Sequence, residues 1–156
     1  MRIAGTADAD EVERLVCACA TVRRASRAVT QFYDRCLRAH GIEGPQFALL
    51  AMLYRLGDCS QTALGHRFDL DKTTLSRNLR LLNRKGWIQA TAGADGRERR
   101  LTLTAAGRRR LAAARPAWLS AQERLRSALG DRQWETMFKA LESLTRAAGR
   151  ARRERP

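Results

Sequence analysis

The stretch DKTTLSRNLRLLNRKGW, residues 71–87, sets leucines at positions 75, 79 and 82, spacings of four and three that place them on one side of an α-helix. Thr73, Arg77, Arg80 and Arg84 recur at the same period roughly opposite, with Lys72 at the start and Ser76 at the edge. Gly86 stops the helix. An exposed line of one hydroxyl and three guanidiniums suits a DNA major groove. Arginine forks match guanine O6 and N7 or phosphate oxygens, and threonine reaches a base edge or a thymine methyl. Such a line can also be an ordinary solvated face, so its neighbours have to decide.

Before it, Pro45 can open a helix, and FALLAMLYRL, 47–56, is apolar nearly all round and should be buried. Gly57 and Asp58 break that helix. Ser60 can cap a short one over 60–67 whose Ala63 and Leu64 face inward, and Asp69 or Asp71 can cap the quoted helix. After it, the period changes from helical to alternating. Trp87, Ile88 and Gln89 begin a strand, AGADG (92–96) is a turn signal, and ERRLTLT (98–104) returns. Helix, turn, helix, hairpin is a winged helix-turn-helix, expected over 45–104. The fold class is mainly α with a small β part (α+β). Residues 71–110 hold eleven basic and three acidic side chains, a net +8 of the chain's +14 in about a quarter of its length. Charge gathered on one helix and one hairpin says more than a high net charge alone. Arg97, at the hairpin tip beside two glycines, is either a minor-groove residue or an exposed turn arginine.

The flanks are helical. Residues 10–38 read as one amphipathic helix with a seam of Leu15, Cys19, Val22, Ser26, Val29, Tyr33 and Cys36, ended by Gly41. Thr104 caps a helix from about 105 that holds Leu111, Trp118, Leu119 and Leu125 and should kink at Pro116. Gly130 and Asp131 break the chain. The last helix is expected to bury Trp134, Met137, Phe138, Leu141 and Leu144. The outer helices carry more apolar surface than so small a core can cover, which points to a dimer interface. The expected organisation is a dimerisation helix over 1–44, the winged lobe over 45–104, dimerisation helices over 105–149, and a disordered basic tail over 150–156.

The remaining composition mostly excludes. At 156 residues, 44% hydrophobic and +14, the chain suits one compact domain with a surface that attracts polyanions. No apolar run approaches the roughly 18–20 residues that span a bilayer, so no membrane partner is expected. The N-terminus MRIAGTADADEVERL has acids where a signal peptide has bases, and a cytoplasmic location with reduced cysteines follows as the expectation. Cys17 and Cys19 are two apart, and His40 and His66 fall in no ligand pattern, so no metal and no cofactor are expected. No Ser/His/Asp set, phosphate-binding glycine loop or apolar carboxylate pair appears, so no catalytic residues are assigned and an enzyme is not expected.

With these residues in place, the sequence resembles the MarR family of transcription regulators. The matching motifs are LDKTTLSRNLRLLNRKGWI (70–88), Asp95-Gly96-Arg97 in the wing and LTLTAAG (101–107), with RRASRAVTQFYD (23–34) extending the likeness over nearly the whole chain. The resemblance implies a homodimer that binds double-stranded operator DNA of pseudo-palindromic sequence, usually as a repressor. It implies release by a small aromatic or phenolic effector held between the dimerisation helices and the lobe. The DNA-binding candidates are Lys72, Thr73, Ser76, Arg77, Arg80, Arg84, Arg97 and Arg99. By the resemblance Asp95 orients the wing arginines. Arg110 is expected to touch phosphate. Ser26, Arg27, Tyr33, Phe47 and Leu50 are the effector candidates, an aromatic pocket with a cation for a carboxylate. An alternative is an organic-hydroperoxide sensor. Cys19 matches the reactive cysteine of such family members and Tyr33 one of its tyrosine partners, while Arg23 stands where the second tyrosine would be. Cys19 on the seam equally reads as a small apolar residue. Cys36 reads as packing, and Cys59 as an exposed loop cysteine.

Overall fold

A computed structural model describes residues 17–68, 72–93 and 98–153. Helix α1 spans Ala18–Leu37 and passes into a 3-10 turn, Arg38–His40. Gly41 closes the turn in the left-handed region, φ 61°. Cys17 is extended (ψ 113°) and its carbonyl accepts from Thr21 N, so α1 starts there. The uninterrupted helix expected from residue 10 is not found, because an extended ψ ends the helical hydrogen-bond ladder. Residues 10–16 lie outside the described residues.

Helix α2, Gly44–Leu56, opens with Pro45 in its first turn and ends at Gly57 (φ 69°). Its first amide is held by α1, with Gly44 N donating to Asp34 Oδ1 at 2.7 Å. A two-residue strand β1, Cys59–Ser60, precedes α3, Gln61–Phe68. Ser60 Oγ accepts from Ala63 N at 3.1 Å, the expected cap. Helix α4 is Lys72–Arg84; β2 is Ile88–Ala92 and β3 is Arg99–Leu103. The chain is thus mainly helical with a three-stranded antiparallel sheet in the order β1-β3-β2. Ile88 pairs with Leu103 and Ala92 with Arg99, while β1 adds itself to the far edge of β3 through Cys59–Leu101 and Ser60–Arg100.

The lobe's core is leucine. Leu37, Leu49, Leu50, Leu53, Leu64, Leu82 and Leu101 are wholly enclosed, from α1, α2, α3, α4 and β3 in turn. Each such leucine stabilises the fold by about 1.5–3 kcal/mol. Cys59 is buried in β1, not exposed in a loop, because the strand pairing carries it under the sheet. Ala63, expected inward, is exposed; the face of α3 turns Leu64 in and leaves Ala63 beside it in solvent.

Helix α5, Ala105–Leu129, is capped by Thr104, whose Oγ1 accepts from Gly107 N at 3.0 Å and donates to Gly86 O at 2.6 Å. A Cβ on Gly107 would stand 2.0 Å from the Trp87 carbonyl oxygen, so only glycine lets α5 start this close to the end of α4. Helix α5 runs through Pro116 without a break. The chain's contacts divide it into two units inside α5, between Ala114 and Arg115.

In the second unit, Gly130 (φ 84°) separates α5 from α6, Asp131–Arg153. Arg126 Nε meets Asp131 Oδ1 at 2.7 Å across the turn, and Trp134 and Phe138 stack edge to face at 5.1 Å. Helix α6 meets its expected burial only in part, with Trp134 and Met137 half-buried. It has no buried residue, and Phe138, Leu141 and Leu144 are 53%, 44% and 40% exposed. The disordered tail expected from 150 is also revised, since α6 continues to Arg153. Alanine and arginine are good helix formers, and Arg150, Arg152 and Arg153 oppose the negative end of the helix dipole.

Candidate nucleic-acid interface

Helix α4 separates its two faces as its periodicity predicts. Leu75, Leu79 and Leu82 are 3%, 5% and 0% exposed, and Thr73, Arg77, Arg80 and Arg84 are all exposed. Three buried leucines fix which side faces out, so the basic line cannot turn inward without emptying the core. Ser76 is half-buried at the edge, where its Oγ accepts from Gln61 Nε2 of α3 at 3.2 Å. Lys72 is the first residue of α4.

An open groove runs between α4 and the hairpin. Leu79, Ile88 and Leu101 form its floor, and Gln61, Ser76, Arg80, Asn83, Arg84 and Arg99 reach its walls. Arg80 and Arg84, one turn apart on α4, and Arg99 of β3 all line it, so three basic residues share one concave surface. Such a surface suits phosphate oxygens. Gln61 and Asn83 belong to this surface although the sequence did not single them out. Their signal was available: Asn83 continues the Ser76–Arg80 line, and Gln61 follows the cap residue.

The neighbouring cations are not part of it. Arg100 points to the other face of the strand, where Nε meets Asp58 Oδ1 at 3.0 Å and Nη2 donates to Asp58 O at 3.1 Å. That hydrogen bond and charge hold its guanidinium above the usual arginine value. Arg108 donates to Leu103 O at 2.8 Å. Arg110, expected on phosphate, is half-buried; it donates to His40 O and lies over the Trp87 ring. Its partner is the turn that follows α1, seventy residues away, which no local pattern shows. Asp95 and Arg97, expected at the hairpin tip, lie outside the described residues, as do the cap candidates Asp69 and Asp71. Gly93 N donates to Glu98 O at 2.6 Å where the hairpin leaves the sheet.

The five effector candidates fall in different surroundings. Leu50 is fully enclosed and Phe47 is 4% exposed, both in the leucine core. Tyr33 is half-buried, and burial foremost, then Cys36, raises its phenol pKa. Ser26 and Arg27 are exposed on α1. Of the two aromatic members, Phe47 is a core side chain and Tyr33 is not. None of the four cysteines forms a disulfide; Cys17 and Cys19 are exposed, and Cys36 is half-buried. Burial foremost, then Asp58, pushes the Cys59 thiol up, against the pull of Arg100. Among the described residues no helix is long and apolar enough to cross a membrane.

A leucine-backed basic helix beside a three-stranded wing is the arrangement of a winged helix-turn-helix lobe. Residues 40–98 match the model of the MarR family. The MosR transcriptional regulator of Mycobacterium tuberculosis, solved in complex with DNA, is 38% identical, superposes with a TM-score of 0.81, and aligns over 88% of this chain and 99% of its own. A probable transcriptional regulator from Pseudomonas aeruginosa is 26% identical at a TM-score of 0.72, over 81% of this chain and 96% of its own. An uncharacterized HTH-type regulator of Bacillus subtilis, YwoH, is 24% identical over 83 residues, 53% of this chain and 61% of its own length. The chain belongs to the MarR family of DNA-binding transcription regulators. Its relatives are regulators rather than enzymes.

Proposed function

We propose that this chain acts as a homodimer on a pseudo-palindromic DNA operator, most simply as a repressor. The observation that carries the reading is the outward line of Thr73, Arg77, Arg80 and Arg84 beside the arginine-walled groove. Thr73, Ser76 and Arg77 meet base edges; Arg80, Arg84 and Arg99 hold phosphate; Lys72 and, at the wing tip, Arg97 with Asp95 extend the contact. The exposed apolar face of α6 supports the dimer, since Phe138, Leu141 and Leu144 lack cover among the described residues. A two-fold dimer presents two copies of α4, so its preferred site is two-fold as well. Selection of binding duplexes from a random pool tests this. A pseudo-palindrome is expected, bound with an affinity that falls steeply with salt as phosphate contacts release counterions. Recovery of no common sequence would refute the reading.

The trigger is a small aromatic or phenolic effector near Ser26, Arg27 and Tyr33, with Phe47 and Leu50 behind them as the apolar backing. A second reading has its own support, because Cys19 is exposed on α1 rather than packed within the chain. An organic hydroperoxide would oxidise its thiol to a sulfenic acid as the O–O bond breaks and an alcohol leaves. Operator release measured with a panel of aromatic acids and, separately, with a hydroperoxide separates the two. Peroxide release that survives Cys19→Ser would exclude that cysteine.

A further inference from the structure

Leucine packing presses α4 onto the lobe, but it is not directional. It sets the depth of the helix better than its rotation or its position along its own axis. Hydrogen bonds are directional and set both. Helix α4 carries such a pin near its N-terminal half, where Gln61 Nε2 donates to Ser76 Oγ. A second lies just beyond its C-terminus, where Lys85 Nζ donates to Gln46 Oε1 at 3.1 Å. Gln46 sits in the first turns of α2 and is 1% exposed, a polar side chain within the leucine core. Its amide is oriented from its other end, where Nε2 donates to Glu43 Oε2 at 2.7 Å. Burying an amide there costs free energy unless both ends are bonded, so the site is built to hold that geometry.

The second pin continues beyond Gln46. Lys85 Nζ lies 4.4 Å from the centre of the Trp87 ring, and Arg110 Cζ lies 5.3 Å from it. Arg110 in turn donates to the carbonyl of His40 in the turn after α1. Trp87 N is bonded to Leu82 O, which ties the ring's backbone to the last turn of α4.

We propose that Gln46 and Lys85 are positioning residues for DNA recognition: Glu43, Gln46, Lys85, Trp87 and Arg110 form a relay that sets the angle at which α4 enters the groove. Neither Gln46 nor Lys85 needs to touch DNA. The inference rests on α4 being the reading helix. Its consequence is specific, because a helix held at the wrong angle still presents its arginines to any phosphate chain but no longer meets base edges in register.

Gln46→Leu keeps the buried volume and lets Lys85 and Glu43 return to water. In the full-length protein it should weaken binding to the selected pseudo-palindrome about tenfold, the scale of one charge-assisted hydrogen bond. Binding to a random duplex of equal length should stay within about twofold, and the melting temperature should hold. The Trp87 indole resonance, assigned through Trp87→Phe, should move. Gln46→Glu alone sets two carboxylates against each other. The double variant Glu43→Gln with Gln46→Glu rebuilds the relay with donor and acceptor exchanged, and should restore both affinity and resonance. An unchanged ratio of specific to random binding in Gln46→Leu overturns the proposal. So does a loss of both in step with a falling melting temperature, or a double variant that restores neither. Failure of α4 as the reading helix shows differently, as a wild-type protein that enriches no duplex, and it would take this inference with it.

Discussion

Helices α4 and α6 each carry an apolar stripe at helical spacing and end in opposite circumstances. In α4 the stripe of Leu75, Leu79 and Leu82 is at most 5% exposed. In α6 the stripe of Phe138, Leu141 and Leu144 is 40–53% exposed, and the helix contains no buried residue. Periodicity announces that a face wants cover. It does not say whether the cover is the chain's own sheet or a second molecule. For α4 the cover is the leucine core that joins α2, α3 and β3. For α6 we look to a second copy.

The largest expected effect breaks or keeps this contrast directly. Leu82→Ala should cost about 2–5 kcal/mol in urea unfolding, at every protein concentration, because its cover is internal. The cost of Leu144→Ala should depend on concentration, because a partner that dissociates contributes by mass action. Equal, concentration-independent costs would show that α6 is covered within the chain.

Next in size is the dimer itself. Phe138→Asp combined with Leu141→Asp puts two carboxylates on an apolar interface. It should yield monomers at micromolar concentration by sedimentation, with the lobe's unfolding free energy retained. Unchanged sedimentation would move the interface elsewhere.

Arg77→Ala sharpens the other half of the comparison, the outward side of α4. It should cost about 1–3 kcal/mol of affinity for the selected duplex and relax preference at one position of each half-site. Arg84→Ala should weaken all duplexes more evenly and lower the salt slope. If the two variants behaved alike, base reading would not be concentrated near the N-terminal half of α4.

The smallest effect concerns thiols. The Cys59 pKa is raised, so less of it is thiolate at a given pH, and its burial limits access. At pH 8 iodoacetamide should label Cys17 before Cys59, and labelling of Cys59 should accelerate in urea. Mass spectrometry of a time course reads the order; simultaneous labelling would put Cys59 outside the sheet.

The features legible in the sequence are the short-range ones. Ser60 and Thr104 cap the helices that follow them, Gly41, Gly57 and Gly130 interrupt the chain, and the leucines of α4 are buried, because each depends on residues within one or two turns. The misses are pairings at a distance. Strand β1 is two residues long and exists only because β3 offers an edge, so Cys59 could not be seen as buried. Gln46 lies one residue before the apolar run read as a core helix, with nothing local to mark it as the partner of Lys85, thirty-nine residues on. Arg110 is one arginine of three in a row, and its bond to His40 O and its place over the Trp87 ring separate it from Arg109. Within the groove, the facing of α4 was readable from its own spacing. The approach of Arg99 was not, because it depends on how the hairpin returns.

What the sequence by itself determined is which side of α4 is buried and which faces out, its winged setting and the basic charge gathered there, since helical period, turn chemistry and charge are properties of neighbouring residues. The tertiary structure alone decided which cations are available and which are engaged. Arg100, Arg108 and Arg110 look like Arg77, Arg80 and Arg84 in composition. Their hydrogen-bond partners, the side chain and carbonyl of Asp58 and the carbonyls of Leu103 and His40, are supplied by folding. A guanidinium will satisfy its donors wherever acceptors are brought to it, and that depends on contacts between distant parts of the chain.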